Sequence, residues 1–72
     1  MVPETVNIVI RVDRRQIAYL TAIIESYEGL ASIRTLDPPA GIVCLSFAAP
    51  LGPEGRGLLD ALQKETGFDY VE

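Results

Sequence analysis

The chain has 72 residues and a net charge of −4, and its 49% hydrophobic content is that of a small globular domain, predicted to be a single one over residues 1–72, rather than a disordered tail. It contains no histidine, which removes the commonest general base and neutral metal ligand, and its single cysteine excludes an internal disulfide or a cysteine-cluster metal site. The acidic balance argues against nucleic acid and anionic membrane as partners, and no cofactor is implied.

Thr5–Val12 alternates, with Val6, Ile8, Ile10 and Val12 on one face and Thr5, Asn7, Val9 and Arg11 on the other. Period two with β-branched residues predicts a strand with one buried face. Asp13-Arg14-Arg15-Gln16 then fits a capping box, in which Asp13 accepts a first-turn N–H and Gln16 reaches back. In the helix that follows, Ile17, Leu20, Ile23, Ile24 and Tyr27 share one side, Tyr19 widens that stripe, and Thr21, Glu25 and Glu28 lie off it. Gly29 is the expected left-handed terminator.

Leu30–Leu36 and Gly41–Ala48 read as a second and third strand, joined by the hairpin loop Asp37-Pro38-Pro39-Ala40-Gly41. Pairing Leu36 with Ile42 sets Thr35 beside Val43, Ile33 beside Leu45 and Ala31 beside Phe47. On the reverse face it sets Arg34 beside Cys44 and Ser32 beside Ser46. The best apolar run, Ile42–Leu51, is interrupted by Ser46 and Pro50 and is about half the ~20 residues of a membrane span. With no basic-then-apolar leader at the N-terminus, a cytoplasmic protein is expected. Ala49–Gly57 leads into a second helix that starts between Pro53 and Leu58, buries Leu58, Leu59 and Leu62, and stops at Gly67. Phe68–Glu72 alternates as a short final strand.

The order strand, helix, strand, strand, helix, strand predicts an α+β, ferredoxin-like βαββαβ two-layer sandwich. Its four antiparallel strands take the order 4-1-3-2, with both helices on one face and the other face uncovered.

The stretch Val12–Pro38, densest at Glu25-Ser26-Tyr27-Glu28-Gly29 and Ile33-Arg34-Thr35-Leu36-Asp37-Pro38, resembles a family of short bacterial proteins known as a domain of unknown function. The wider topology is similar to ACT domains, regulatory modules that pair and often bind amino acids between subunits. ACT domains commonly carry Asp-Arg-Pro-Gly-Leu at the first strand–helix junction, where this chain has Asp13-Arg14-Arg15-Gln16-Ile17. A glycine there lets backbone amides approach a ligand; Gln16 fills that space with a side chain, which argues against the usual amino-acid pocket.

Four local features bear on function. Arg14 and Arg15 beside a helix start would attract an anion, but Asp13 already occupies that end, so a cap with solvated arginines is the simpler reading. Gly52-Pro53-Glu54-Gly55-Arg56-Gly57 lacks the Lys and hydroxyl of a phosphate loop and reads as a mobile loop. Cys44 lies mid-strand on the uncovered face near Arg34 and Arg11, cations of the kind that activate a thiol, although no histidine can act as its base; a small buried hydrophobe is the commoner role. Arg11 and Arg34 are the only charges expected on the uncovered face of the first three strands. There they either clamp an anionic ligand, meet acidic groups of a second subunit, or extend into water over an apolar stripe of Val9, Leu36, Ile42 and Cys44. That face carries no aromatic stacking platform on its central strands, a second argument against nucleic acid.

The combination points to a non-enzymatic, ACT-like regulatory or protein-interaction module acting as a homodimer, with no catalytic constellation and no metal site. The alternative is a sensor that binds a small anionic metabolite or amino acid at the subunit junction or through Arg11 and Arg34.

Overall fold

The alternation of the first strand sets the layers. In a computed structural model, which describes residues 5–27 and 29–71, β1 spans Thr5–Arg11. It is antiparallel to β3 (Ile42–Ala48) on one side and to β4 (Asp69–Tyr70) on the other. β2 (Ala31–Asp37) pairs with the far side of β3, so the sheet order is β2-β3-β1-β4, the predicted order read from its other edge. Connectivity and order are consistent with a ferredoxin-like sandwich.

The helices α1 (Ile17–Glu25) and α2 (Pro53–Thr66) both pack on the same sheet face. Leu20 and Ile24 from α1 and Leu58, Leu59 and Leu62 from α2 join Ile10, Val43, Leu45 and Phe47 in one buried cluster, closed by Val12 and Phe68. These strand residues are the inward set of the period-two pattern, and the helix residues are the apolar stripes read at 100° per residue. Glu28 and Glu72, expected on the wet side of the first helix and at the end of the last strand, lie outside the described residues.

Three local details differ from the sequence reading, apart from Gly52–Gly57, which reads as a mobile loop but forms the N-cap and opening residues of α2. First, the capping box is only half made. Asp13 accepts the Arg15 backbone N–H at 2.9 Å, but Gln16 makes no return bond to the Asp13 N–H; the second interaction is from the Arg15 guanidinium, whose Nη2 donates to the Asp13 carboxylate at 2.9 Å. The chain enters α1 through a 3-10 turn, Arg14–Gln16, instead of directly. Second, α1 ends at Glu25, and Ser26 closes it by donating its hydroxyl to the Ile23 carbonyl at 2.6 Å. Gly29 is left-handed (φ +82°), as expected, but it serves the following turn, in which the Leu30 N–H donates to the Tyr27 carbonyl at 3.0 Å.

Third, the β2–β3 register holds from Ala31 opposite Phe47 through Thr35 opposite Val43, and then slips. Asp37, not Leu36, stands opposite Ile42, because a bulge leaves Leu36 unpaired. Gly41 makes the slip workable. Its carbonyl accepts the Val12 N–H at 2.8 Å, and a Cβ on Gly41 would overlap the Val12 carbonyl oxygen, so the loop can lie against β1 only without a side chain.

Tyr19 does not simply widen the core stripe. Its hydroxyl donates to the Glu65 carboxylate on α2, tying the two helices together. That hydrogen bond, with some desolvation, raises the phenol above its usual 10.0.

Ile24 is 0% exposed at the centre of the shared cluster. Ile24→Ala is expected to cost ~2–5 kcal/mol in urea unfolding, as buried large-to-small changes do. A loss of only a few tenths would contradict the packing of α1 described here.

Candidate functional site

The residues singled out in the sequence lie on the sheet face turned away from both helices, and the strand register arranges them in rows. One row runs Asp69, Arg11, Ile42, Asp37 from β4 to β2, since Arg11 stands opposite both Asp69 and Ile42, and Ile42 opposite Asp37. The next row places Cys44 between Val9 and Arg34, and the Val71 N–H extends it by donating to the Val9 carbonyl at 2.9 Å. A third row is polar, with Ser46 between Asn7 and Ser32, and the Ser46 hydroxyl donating to Asn7 Oδ1 at 2.7 Å. Residues directly opposite one another share a face, so each row is a set of neighbours.

Arg34 is therefore brought directly beside Cys44, as expected, while Arg11 lies one row away and two strands from Arg34. Strand spacing and rise put their Cα atoms roughly 12 Å apart. Their side chains spring from different rows of the sheet. Each has other company: Arg11 faces Asp69 across the β1–β4 ladder, and Asp37 joins the same row on the far side of Ile42. The expectation that Arg11 and Arg34 are the only charges on this face of the first three strands is thus corrected by Asp37. The bulge is the reason, because even-step arguments about register cannot detect one extra residue. Asp69 was hidden by the short final strand, whose pairing partner the alternation alone does not identify.

Cys44 is a free thiol, 5% exposed, yet it stands outside the cluster formed with the helices. Its burial comes from its own sheet face, where Val9 and the stem of Arg34 flank it on a central strand. This favours its role as a small hydrophobe over that of an exposed nucleophile. The other candidate cations behave as the simpler reading holds. Arg15 is engaged by Asp13, and that hydrogen-bonded pairing holds the Asp13 carboxyl at about 2, below its ordinary 3.8. A concavity of about 550 Å³ beside Arg14 and Arg15 is walled by Ile17, Ala18, Pro38 and Pro39 and adds no further cation. Among the described residues no group of three or more His, Cys, Asp or Glu is placed to hold a metal, and no helix is long and apolar enough to cross a membrane.

The most accessible backbone belongs to β2, the outermost strand on its side of the sheet. The Ala48 N–H donates to the Leu30 carbonyl at 3.4 Å, which fixes the phase of the ladder. Leu30, Ser32 and Arg34 turn their backbone groups toward β3, and Ala31, Ile33 and Thr35 turn theirs to the free edge. The Ala31 N–H accordingly points away from β3 and donates to the Tyr27 carbonyl at 3.4 Å. Beside this edge runs a groove of about 470 Å³ between α1 and β2, lined by Ile24, Glu25, Gly29, Ala31, Ser32 and Ile33. Among its described lining residues Glu25 is the one charged group, a poor setting for an anion.

These features define a small α+β domain in which one sheet face and one long edge are left uncovered by the described residues. The chain belongs to the family described as a domain of unknown function (DUF4911), whose profile matches residues 10–66. Comparison with curated proteins found no match. Comparison with solved structures also found none. The match covers β1 from Ile10, both helices, β2 and β3, and so spans the residues of the open face from Arg11 to Ser46.

Two measurements check this description. Cys44 is expected to react with Ellman's reagent at least about tenfold more slowly in the folded protein than in urea, because its thiol is shielded. Equal rates would mean an accessible, activated cysteine. Asp13, whose carboxyl is held at about 2, stabilises the charged folded state above its unfolded value, and that contribution disappears as pH falls toward 2. The melting temperature of the wild type should therefore exceed that of Asp13→Ala near neutral pH, with the gap narrowing between about pH 4 and 2. A gap that is constant with pH would exclude the Asp13–Arg15 pairing as its source.

Proposed function

We propose that the chain is a small non-enzymatic regulatory or protein-interaction module of the ferredoxin-like, ACT-like kind, and that it works as a homodimer. The observation that carries this reading is the edge of β2, which runs regularly and without proline from Ala31 to Thr35 before its bulge, beside an open face with an apolar centre. Such an edge offers unpaired N–H and C=O groups to another chain, and native proteins usually block long ones. The open face measures ~300 Å² from strand spacing and rise, against about 800 Å² per partner in a stable interface, so the face alone is too small and the edge must contribute.

The non-enzymatic part of the reading is supported by the pairs that contain the three shifted groups among the described residues, Asp13, Arg15 and Tyr19. Asp13 answers to Arg15 and Tyr19 to Glu65, both as structural pairs on the surface. Neither lies in a cleft with a nucleophile or a second acid–base group, the setting in which shifted values signal catalysis. The sensor alternative draws less support, since Arg11 and Arg34 stand apart and the edge groove carries Glu25.

Sedimentation equilibrium at micromolar concentration is expected to give about twice the 7.8 kDa chain mass. A clean monomer at neutral pH and ordinary salt would refute the homodimer. A panel of amino acids and carboxylates should leave the melting temperature unchanged, whereas a rise with the concentration of one of them would favour the sensor.

A further inference from the structure

We infer that two copies join β2 to β2 about a two-fold axis at Ile33, making one continuous sheet in which Arg34 stands opposite Ser32 of the partner subunit. This rests on the homodimer reading and adds its register.

The phase of the β2–β3 ladder leaves Ala31, Ile33 and Thr35 as the edge residues with outward backbone groups. A two-fold antiparallel pairing must therefore oppose these odd-numbered residues to one another. Five registers satisfy that condition, centred on residues 31, 32, 33, 34 or 35, and the first, like that on Ser32, runs the pairing back to Gly29. Centring on Arg34 sets two guanidiniums directly opposite in a close, non-hydrogen-bonded pair, and like charges so placed are destabilising. Centring on Thr35 pairs Ile33 with Asp37, on the irregular side of the Leu36 bulge, where the ladder is already disrupted. Centring on Ser32 runs the pairing back to Gly29, which is left-handed (φ +82°) and out of the extended conformation a ladder needs. Centring on Ile33 avoids all three. It pairs Ala31 with Thr35 on both sides of the axis and yields about four backbone hydrogen bonds from free groups, the Ala31 N–H staying with the Tyr27 carbonyl. The charges suit it, because each Arg34 meets a small neutral serine and can extend over it into water. The same pairing brings the two α1–β2 grooves together at the axis, where Ile33 lines each one. Half-buried Ile33 then loses its remaining contact with water against its own counterpart.

Directly opposed residues in a hydrogen-bonded pair have Cα atoms about 5.5 Å apart, inside the ~4.4–6.8 Å range a disulfide tolerates. Two copies of residue 32 in this register are about 8 Å apart, outside it. Single cysteines at positions 33 and 32, each introduced into Cys44→Ala, therefore read the register directly. Under mild oxidation Ile33→Cys should run at twice the chain mass in non-reducing electrophoresis, and Ser32→Cys should remain at the chain mass. Thr35→Pro supplies a second test that does not depend on a cysteine. It removes an N–H that faces the edge rather than β3, so far-UV circular dichroism should be unchanged while sedimentation gives a monomer. Cross-linking through Ser32→Cys in place of Ile33→Cys would overturn the register. A Thr35→Pro protein that stays dimeric would overturn the edge pairing and leave the homodimer standing on another surface. A monomeric wild-type protein would overturn both.

Discussion

The ladder between β1 and β3 is the constraint on which the rest of the molecule depends. These two central strands are paired over all seven of their residues, from Thr5 opposite Ala48 to Arg11 opposite Ile42. Once that register is set, every other residue of both strands is committed to one side. Ile10, Val43, Leu45 and Phe47 can be covered only by helices on their face, and the chain has two, both of which are used there. Among the described residues no further element covers the other face. The asymmetry follows from a small domain having enough apolar surface for one core and not for two.

The two edges of the sheet are correspondingly unequal. β4 is two residues long and closes against β1, so little backbone is left unpaired on that side. β2 is seven residues long, and its far side meets only α1 and a shallow groove. What limits β2 is chemistry at its ends. Gly29 departs from the extended conformation at one end, and the Leu36 bulge followed by Pro38 and Pro39 interrupts the other. Between them lie six residues, Leu30 to Thr35, whose backbone groups alternate between β3 and the edge as a second strand needs. The charged row beyond the bulge, with Asp69, Arg11 and Asp37, stays wet and supplies an ordinary polar rim beside the apolar Val9–Cys44 centre.

Most of the fold was legible because its signals are periodic. Val6 to Val12 and Ile42 to Phe47 state their faces by alternation, Leu20 and Ile24 by helical spacing, and the sheet order follows from the handedness of crossovers. What was not legible is local and geometric. Nothing in Asp37-Pro38-Pro39-Ala40-Gly41 distinguishes a regular hairpin from one with a bulge, because the choice depends on Gly41 lying against Val12. Tyr19 reads as one more member of an apolar stripe until α2 is placed beside it and Glu65 accepts its hydroxyl. Arg15 likewise reads as a solvated side chain, although its guanidinium donates to the Asp13 carboxylate beside the cap. For the site, the sequence was sufficient to place Arg34 beside Cys44 and both on the uncovered face. The acidic members of that face, Asp37 and Asp69, depended on the bulge and on the partner of the last strand, and both are tertiary facts.

If β2 is the surface through which this domain works, its backbone amides must report the fact residue by residue. Amide hydrogen exchange followed by nuclear magnetic resonance, at high protein concentration and again after dilution, is the direct measurement. Ser32 and Arg34 donate within the sheet and should be protected at both concentrations. Ile33 and Thr35 point to the edge and should be protected only when the concentration is high enough to join two copies. Protection of Ile33 and Thr35 at one concentration and loss at the other is the predicted result. Free exchange at both positions under all conditions would contradict a functional edge and leave β2 as an ordinary solvated strand.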